Sequence, residues 1–355
     1  MSSLHSCETN DVRPRKRIFF RLLAAVLAAG ASLSAPIYSP ELFAGRTDAN
    51  TAQESRPRRA IEQQRPADQQ QEKPLRIGAD LVTVLTSVSD AGGNRIYGLN
   101  RSDFEIYEDN VPQDVEGVYT EEQVPLRLVF LFDLSLSVRQ RFDFEQRAAA
   151  RFFRQVMRTG DQAAIISVST EPRVEVQFTP SVDRLVEALG RMIPGGATAL
   201  YSATIEAAKY LRPAEGRHVI IVLSDGNDIG SSSTLTQTLA EVHKSDAVIY
   251  CVHSTGIAPS ANVRDLGGEF VLKAMSEETG GYPFFPPIYR EIEKETRDLD
   301  EIYRRITADV RAQYVLTYYS KSNANDGRFR LIRVAVKRPG LQVRARRGYY
   351  ASAVQ

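Results

Sequence analysis

The chain has 355 residues, of which 43% are hydrophobic and 25% are charged, so it is long enough for about two folded domains with ordinary cores. Its 45 basic and 44 acidic side chains leave a formal net charge of +1, and this balance gives no electrostatic sign of a nucleic-acid partner. The composition also excludes a fibrous protein, and any partner has to be inferred from a particular site.

The first residues predict export. A basic segment from Arg13 to Arg21 precedes the apolar run Leu22 to Ala29, and small residues suited to a signal peptidase follow up to residue 35. The run is shorter than the roughly 18 to 20 residues of a membrane-spanning helix, which favours a cleaved signal peptide over residues 1–35. An uncleaved anchor is the alternative. We expect a periplasmic, cell-surface or secreted protein, with no stable membrane span after cleavage.

Two segments of different character follow the predicted signal peptide. Residues 36–74 are predicted to be a disordered linker, because Gln, Arg, Glu, Asp and Pro dominate from Arg46 to Pro74. Residues 75–121 alternate apolar and polar positions, with turn residues at Gly92 to Asn94 and at Asp109 and Asn110, which predicts short strands. About four such strands form a sheet too small to bury a core alone.

Residues 124–312 alternate predicted strands with predicted helices. Leu126 to Phe132 is a run of mostly large apolar residues, which is typical of a strand buried on both faces. Apolar positions with helical spacing recur, for example in Leu200 to Leu211 and in Ile292 to Val310. This alternation predicts an α/β fold with a doubly wound, Rossmann-like sheet.

Alternating strands return over residues 313–351, with turns at Asn325 to Gly327 and at Pro339 and Gly340. Together with the strands of 75–121 they number about seven, which is enough for a small sandwich. We expect both flanks to pair into one β-sandwich-like domain, whereas the alternative is two separate flaps packed on the α/β domain. The arginines of the last strands are expected to lie on one solvated sheet face.

Three polar clusters lie at predicted strand ends or in loops beside them, where open α/β sheets bind ligands. The first provides Asp133, Ser135 and Ser137, whose alternation lets their oxygens face one point. The second provides Thr198 and the third provides Asp225. Carboxylate and hydroxyl oxygens suit a hard divalent cation, and so few carboxylates favour Mg²⁺ over Ca²⁺. The sequence therefore predicts a magnesium site.

These clusters, in this order along the chain, resemble the metal-ion-dependent adhesion site of von Willebrand factor type A and integrin inserted domains. The resemblance covers residues 124–312. The resemblance implies that Ser135 and Ser137 coordinate the ion directly. It also implies that Asp133, Thr198 and Asp225 bind it directly or through water. Flanking sequences from Asp103 to Asp109 and from Gly340 to Tyr350 resemble a bacterial subgroup of exported type A-related proteins. Leu136 departs from the pattern, since many members have glycine there.

The leading hypothesis is a non-enzymatic binding module that engages an acidic side chain of a protein partner through Mg²⁺, or through another hard cation such as Mn²⁺ or Ca²⁺. The alternative is a structural or assembly component of the cell envelope whose metal stabilises the fold. A metal-dependent hydrolase with His253 as base comes third, because no common hydrolase or P-loop motif occurs. His243 is predicted on a helix surface and Cys251 in the core.

Overall fold

The computed structural model of the protein describes residues 81–135, 141–254, 266–287, 292–322 and 326–351. The predicted signal peptide and linker, together with Ser137 and Leu136, lie outside these residues. Within the described part of the chain, no helix is both long enough and apolar enough to cross a membrane.

The described residues form fourteen strands and six α-helices. The strands are β1 (Leu81–Ser89), β2 (Phe104–Glu108), β3 (Val111–Gln113), β4 (Val115–Tyr119), β5 (Leu126–Asp133), β6 (Gln162–Val168), β7 (Arg173–Thr179), β8 (Arg217–Ser224), β9 (Val248–His253), β10 (Pro283–Phe284), β11 (Tyr314–Tyr319), β12 (Phe329–Val336), β13 (Gln342–Ala345) and β14 (Gly348–Tyr350). The helices are α1 (Phe142–Val156), α2 (Val182–Arg191), α3 (Leu200–Leu211), α4 (Leu235–His243), α5 (Leu266–Thr279) and α6 (Ile292–Arg311).

The central sheet has the strand order β10-β9-β8-β5-β6-β7. Its strands pair in parallel except for β7, which is antiparallel to β6. Helices α1, α2 and α6 pack on one face and α3, α4 and α5 on the other. The predicted α/β doubly wound fold is confirmed. Because the parallel strands end at the same edge, the loops after β5 and β8 lie side by side.

The apolar run of β5 is buried because helices cover both of its faces. Phe130 is fully buried, with its ring centroid 5.4 Å from that of Phe153 in α1 and 6.4 Å from that of Tyr303 in α6. The alternate residues Val129 and Leu131 belong to the opposite core, beside α3. A strand covered in this way has no polar face, which explains its nearly continuous apolar sequence.

The two flanks of the chain combine into one β-sandwich. One sheet has the order β13-β1-β11-β4 and the other β14-β12-β2-β3, so each sheet joins strands from before and after the α/β domain. Their facing apolar residues form a third core, in which Val84 and Leu316 of one sheet meet Ile106 of the other. The alternative of two separate flaps is wrong. The sandwich has eight strands rather than about seven, since the last segment divides into β13 and β14.

The arginines of the last strands do not all lie on a solvated face. Arg330 is 4% exposed and Arg346 is 5% exposed. At the start of β12, Phe329 and Leu331 are exposed while Arg330 points inward and ion-pairs with Glu108 at 3.0 Å, whereas Arg333 is exposed as expected. A buried carboxylate therefore accounts for the inward position of this arginine.

Arg346 and Arg344 join the sandwich to the α/β domain. Arg346 ion-pairs with Asp246 and also donates to the Thr83 carbonyl at 2.6 Å. Arg344 ion-pairs with Asp309, the partner of Arg95 at 2.8 Å. The α/β residues involved lie just before β9 and at the end of α6, near the amino ends of the central strands. The sandwich therefore contacts the edge of the central sheet opposite the polar clusters.

His243 lies in the same interface, so its predicted place on a helix surface is wrong. It is 7% exposed, and its ring centroid lies 5.1 Å from that of Phe329. Burial, together with the positive charge of Arg346, lowers the pKa of His243 to about 4. Cys251 is fully buried, as predicted, and burial raises the pKa of its thiol to about 12.

Candidate metal centre

Asp133 is the last residue of β5 and only 1% exposed. The Ser135 backbone N–H donates to its Oδ1 at 2.8 Å, and the Ser224 hydroxyl donates to its Oδ2 at 2.6 Å. Ser224 ends β8, which pairs in parallel with β5, so the two strand ends bring the hydroxyl and the carboxylate together. These two hydrogen bonds fix the orientation of the carboxylate and leave it further acceptor capacity.

The electrostatics at Asp133 favour a cation. Burial raises the pKa of Asp133 above its ordinary value and the negative charge of Asp225 acts in the same direction, while hydrogen bonds from Ser224 and Ser135 oppose both. No lysine or arginine within the described ranges forms an ion pair with Asp133. A buried carboxylate beside a second one is costly unless a positive charge compensates it. The donor set therefore fits a hard divalent ion.

Thr198 lies in the loop between α2 and α3 and is 4% exposed. Its carbonyl accepts hydrogen bonds from the backbone N–H groups of Ile229 and Gly230, both at 3.0 Å. The same loop is bonded to the end of β5, because the Gly195 N–H donates to the Leu134 carbonyl at 2.6 Å. Backbone hydrogen bonds thus join the loop that carries Thr198 to both of the other predicted ligand segments.

Asp225 follows β8 and is partly buried, and its Oδ1 accepts a hydrogen bond from the Asn227 N–H at 3.0 Å. The next residue, Gly226, has a φ of +84°, and a Cβ there would lie 2.3 Å from the Gly268 carbonyl oxygen. Both its backbone conformation and its closeness to α5 require glycine at this position. The loop after β8 is therefore packed backbone to backbone on the first turn of α5.

The loop after β8 also caps α3. Asp228 accepts from the Tyr201 N–H at 2.7 Å through Oδ2 and from the Ser231 N–H at 2.9 Å through Oδ1. The Ser231 hydroxyl accepts from the Ser202 N–H at 2.9 Å. Ala199, the residue at the helix start, provides no side-chain cap. Asp228 and Ser231 therefore supply the acceptors that the exposed N–H groups of the helix require, and they hold α3 next to Thr198.

Four of the five predicted ligands, namely Asp133, Ser135, Thr198 and Asp225, fall within described residues, and Ser137 does not. The direct contact between Ser224 and Asp133 was missed, although a hydroxyl ending an apolar strand was a usable signal. Nothing local in the sequence indicated Ser231. His253, the base of the hydrolase hypothesis, is 6% exposed, and its ring centroid lies 6.0 Å from that of Phe285.

Comparison with known sequences assigns this region to a family. Residues 128–227, which run from within β5 to the loop after β8, match the family described as von Willebrand factor type A domain. The chain contains a von Willebrand factor type A domain. The matched part of the domain includes Asp133, Ser135, Thr198 and Asp225. Among curated proteins, none matches the chain.

Several solved structures are similar to the domain. BatB from Bacteroides thetaiotaomicron is 15% identical, with 51% of this chain and 98% of that chain covered and a TM-score of 0.39. The vWF domain of the type V pili tip protein Mfa5 from Porphyromonas gingivalis is 12% identical, covering 53% and 96%, with a TM-score of 0.40. The SpRpn10 VWA domain is 12% identical, covering 49% and 94%, with a TM-score of 0.39.

Proposed function

We propose that the chain is an exported binding module that holds Mg²⁺ in its type A domain and thereby engages an acidic side chain of a protein partner. The proposed ligands of the ion are Asp133, Ser135, Ser137, Thr198 and Asp225. The observation that carries the proposal is the buried Asp133 carboxylate, which is oriented by Ser224 and lies beside the charge of Asp225. Domains of this family commonly mediate protein–protein interactions. The basic and apolar N-terminus supports export.

The residues around the proposed ligands have separate tasks. Ser224 orients Asp133, and Gly226 allows the loop that carries Asp225 to pack on α5. Asp228 caps α3 and thereby supports the segment of Thr198. When bound, the ion supplies an electrophilic centre for a carboxylate, because hydroxyl ligands neutralise little of its charge. The domain is thus proposed as a binding module rather than an enzyme, and Mn²⁺ or Ca²⁺ are the other candidate ions.

The test measures Mg²⁺ binding by isothermal titration calorimetry, and then retention of the protein on immobilised peptides with a central Glu or a central Gln. Wild-type protein is expected to bind Mg²⁺ and to prefer the Glu peptide only when Mg²⁺ is present. Asp133→Asn is expected to weaken Mg²⁺ binding at least tenfold and to abolish the preference, while the protein remains folded by circular dichroism. Glu215→Gln is the matched control, because Glu215 is exposed and precedes β8 at the opposite edge of the sheet.

Two outcomes would reject the proposal in different ways. Equal Mg²⁺ binding by wild-type protein and Asp133→Asn would exclude the proposed metal site. Normal Mg²⁺ binding without discrimination between Glu and Gln peptides would favour the structural alternative, in which the ion stabilises the fold and binds no partner.

A further inference from the structure

A buried carboxylate lies in the first turn of α1, outside the set of predicted ligands. Glu145 is 3% exposed, and its Oε1 accepts a hydrogen bond from the Ser254 hydroxyl, which is equally buried. Ser254 directly follows β9 and lies 109 residues further along the chain. The fold therefore brings a carboxylate of one helix to the carboxyl end of a central strand.

Ser254 connects this carboxylate to the candidate metal centre. Its backbone N–H donates to the Ser224 carbonyl at 2.9 Å, and the Ser224 hydroxyl donates to Asp133 Oδ2 at 2.6 Å. All four residues are buried, so their hydrogen bonds are shielded from water. We refer to Glu145, Ser254, Ser224 and Asp133 as the buried network. It joins α1 to the carboxyl ends of β9, β8 and β5.

Packing alone does not explain a carboxylate at position 145. Apolar contacts already hold the start of α1 on β5, since the ring centroid of Phe142 lies 5.5 Å from that of Phe132 and Phe144 belongs to the same core. An apolar side chain at this position would extend that core without the cost of burying a charge. The residue type is therefore explained by what its carboxylate binds.

Ser224 is the point at which the buried network reaches the predicted ligands. Its hydroxyl donates to Asp133 and also accepts from the Gly226 N–H at 3.2 Å, in the loop that carries Asp225. A displacement of Ser224 would thus disturb both carboxylates of the candidate site. Mg²⁺ requires nearly ideal octahedral geometry, and hydrogen bonds behind the ligands commonly set metal affinity because they fix the ligands' orientation.

We infer that Glu145 is a positioning residue for the candidate metal centre. It holds Ser254, Ser254 holds the Ser224 backbone, and Ser224 orients the Asp133 carboxylate. The inference rests on the proposed function, since it requires that Asp133 binds Mg²⁺. Glu145 contributes an acceptor oxygen for the Ser254 hydroxyl, so an uncharged side chain with an oxygen in the same place should serve equally well.

The experiment measures the Kd of Mg²⁺ by isothermal titration calorimetry and, separately, unfolding by urea in EDTA. Glu145→Leu and Ser254→Ala are each expected to weaken Mg²⁺ binding at least about fivefold, because each removes one partner of the same hydrogen bond. Glu145→Gln keeps an oxygen for the Ser254 hydroxyl, so its Kd should stay within about twofold of the wild-type value.

Two combined variants separate positioning from stability. Glu145→Leu/Ser254→Ala leaves neither partner unsatisfied, so it should unfold at nearly the urea concentration of wild type. It should nevertheless bind Mg²⁺ as weakly as the single variants, because the two residues act through one contact. In a Ser224→Ala background, Glu145→Leu should weaken binding no further, since the hydroxyl that orients Asp133 is already absent.

Ser245→Ala is the matched control. The Ser245 hydroxyl is also buried and donates to the Val242 carbonyl at 2.8 Å, but it precedes β9 at the opposite edge of the sheet. This variant should leave the Kd of Mg²⁺ unchanged, whatever stability it loses.

Three results would overturn the inference and leave the proposed function intact. A wild-type Kd for Glu145→Leu, with or without lower stability, would make Glu145 structural. Equal weakening by Glu145→Gln and Glu145→Leu would assign the effect to charge. The same loss from Glu145→Leu with and without Ser224→Ala would show that it acts by another route. Equal Mg²⁺ binding by wild-type protein and Asp133→Asn would instead reject the proposed metal site itself.

Discussion

Replacing Glu108 with Gln would test a polar network inside the β-sandwich. Glu108 ends β2 and is 2% exposed. Its carboxylate accepts hydrogen bonds from the hydroxyls of Ser320 at 2.7 Å, Tyr318 at 2.8 Å and Tyr349 at 3.0 Å, and from Arg330 Nη1 at 3.0 Å. Because all four donors come from the C-terminal flank, this carboxylate connects the two flanks of the sandwich.

The substitution keeps the shape of the side chain but removes its charge and turns one acceptor into a donor. At least one hydroxyl then loses its acceptor, and Arg330, which is 4% exposed, loses its nearest counterion. Removing one partner of a buried ion pair costs about 3–5 kcal/mol. Asp326 remains 3.7 Å from Arg330, so we expect the lower end, about 3 kcal/mol. For a domain of this size that corresponds to a melting temperature lower by about 6–12 °C.

The loss depends on pH in a defined direction. Burial alone would raise the pKa of Glu108, but the hydrogen bonds from Ser320, Tyr318, Arg330 and Tyr349 outweigh it and hold the pKa below the ordinary value of 4.5. A depressed folded-state pKa stabilises the protein above the unfolded-state pKa, and this contribution is lost as the pH falls through the folded-state pKa. The stability difference between wild type and Glu108→Gln should therefore be full at pH 7 and shrink below pH 4.5.

The assay is urea unfolding between pH 3 and pH 7, followed by circular dichroism and tyrosine fluorescence, since the chain has 15 tyrosines and no tryptophan. Glu105→Gln is the matched control in the same strand. Glu105 is partly exposed and accepts a hydrogen bond from the Tyr107 hydroxyl at 3.1 Å, so its loss should stay below about 1 kcal/mol. Equal losses for the two variants, or a Glu108→Gln difference that does not change with pH, would refute the reasoning.

Three further predictions concern the candidate metal centre. In thermal unfolding, Gly226→Ala should lower the free energy of unfolding by more than about 2 kcal/mol, because the added Cβ meets the backbone of α5. Gly98→Ala is the control: Gly98 has a φ of +72° and open space around it, so this variant should lose about 1 kcal/mol. Similar losses for the two variants would contradict the close packing at Gly226. Asp228→Ala and the α4 cap variant Thr234→Ala should each lose about 1 kcal/mol, but only the former should weaken Mg²⁺ binding in calorimetry. In scanning calorimetry, wild-type protein with Mg²⁺ at 100 times its Kd should melt about 5–10 °C higher than the same protein in EDTA. The melting temperature of Asp133→Asn should not change between these two conditions. Equal shifts for the two proteins would argue against the site.

Local sequence pattern determined the architecture of the α/β domain. The nearly continuous apolar run of β5 indicates burial on both faces, and Leu200–Leu211 has the bounds predicted from its helical spacing. Because parallel strands share one carboxyl edge, the order of the polar clusters along the chain also predicted that their loops would be neighbours. These features depend on the repeat of apolar positions, and that repeat is a property of the sequence itself.

Tertiary structure alone decided which polar groups meet. Arg330 turns inward because Glu108, 222 residues away along the chain, lies beneath it. His243 is buried because the sandwich, made from both flanks, covers the end of α4. Asp228 caps a helix that begins 28 residues earlier in the sequence, and no local signal joins the two. The spacing of apolar residues indicates whether a position is buried. A buried polar group also needs a hydrogen-bond or ion-pair partner, and here that partner comes from a distant segment that reaches it only when the chain folds.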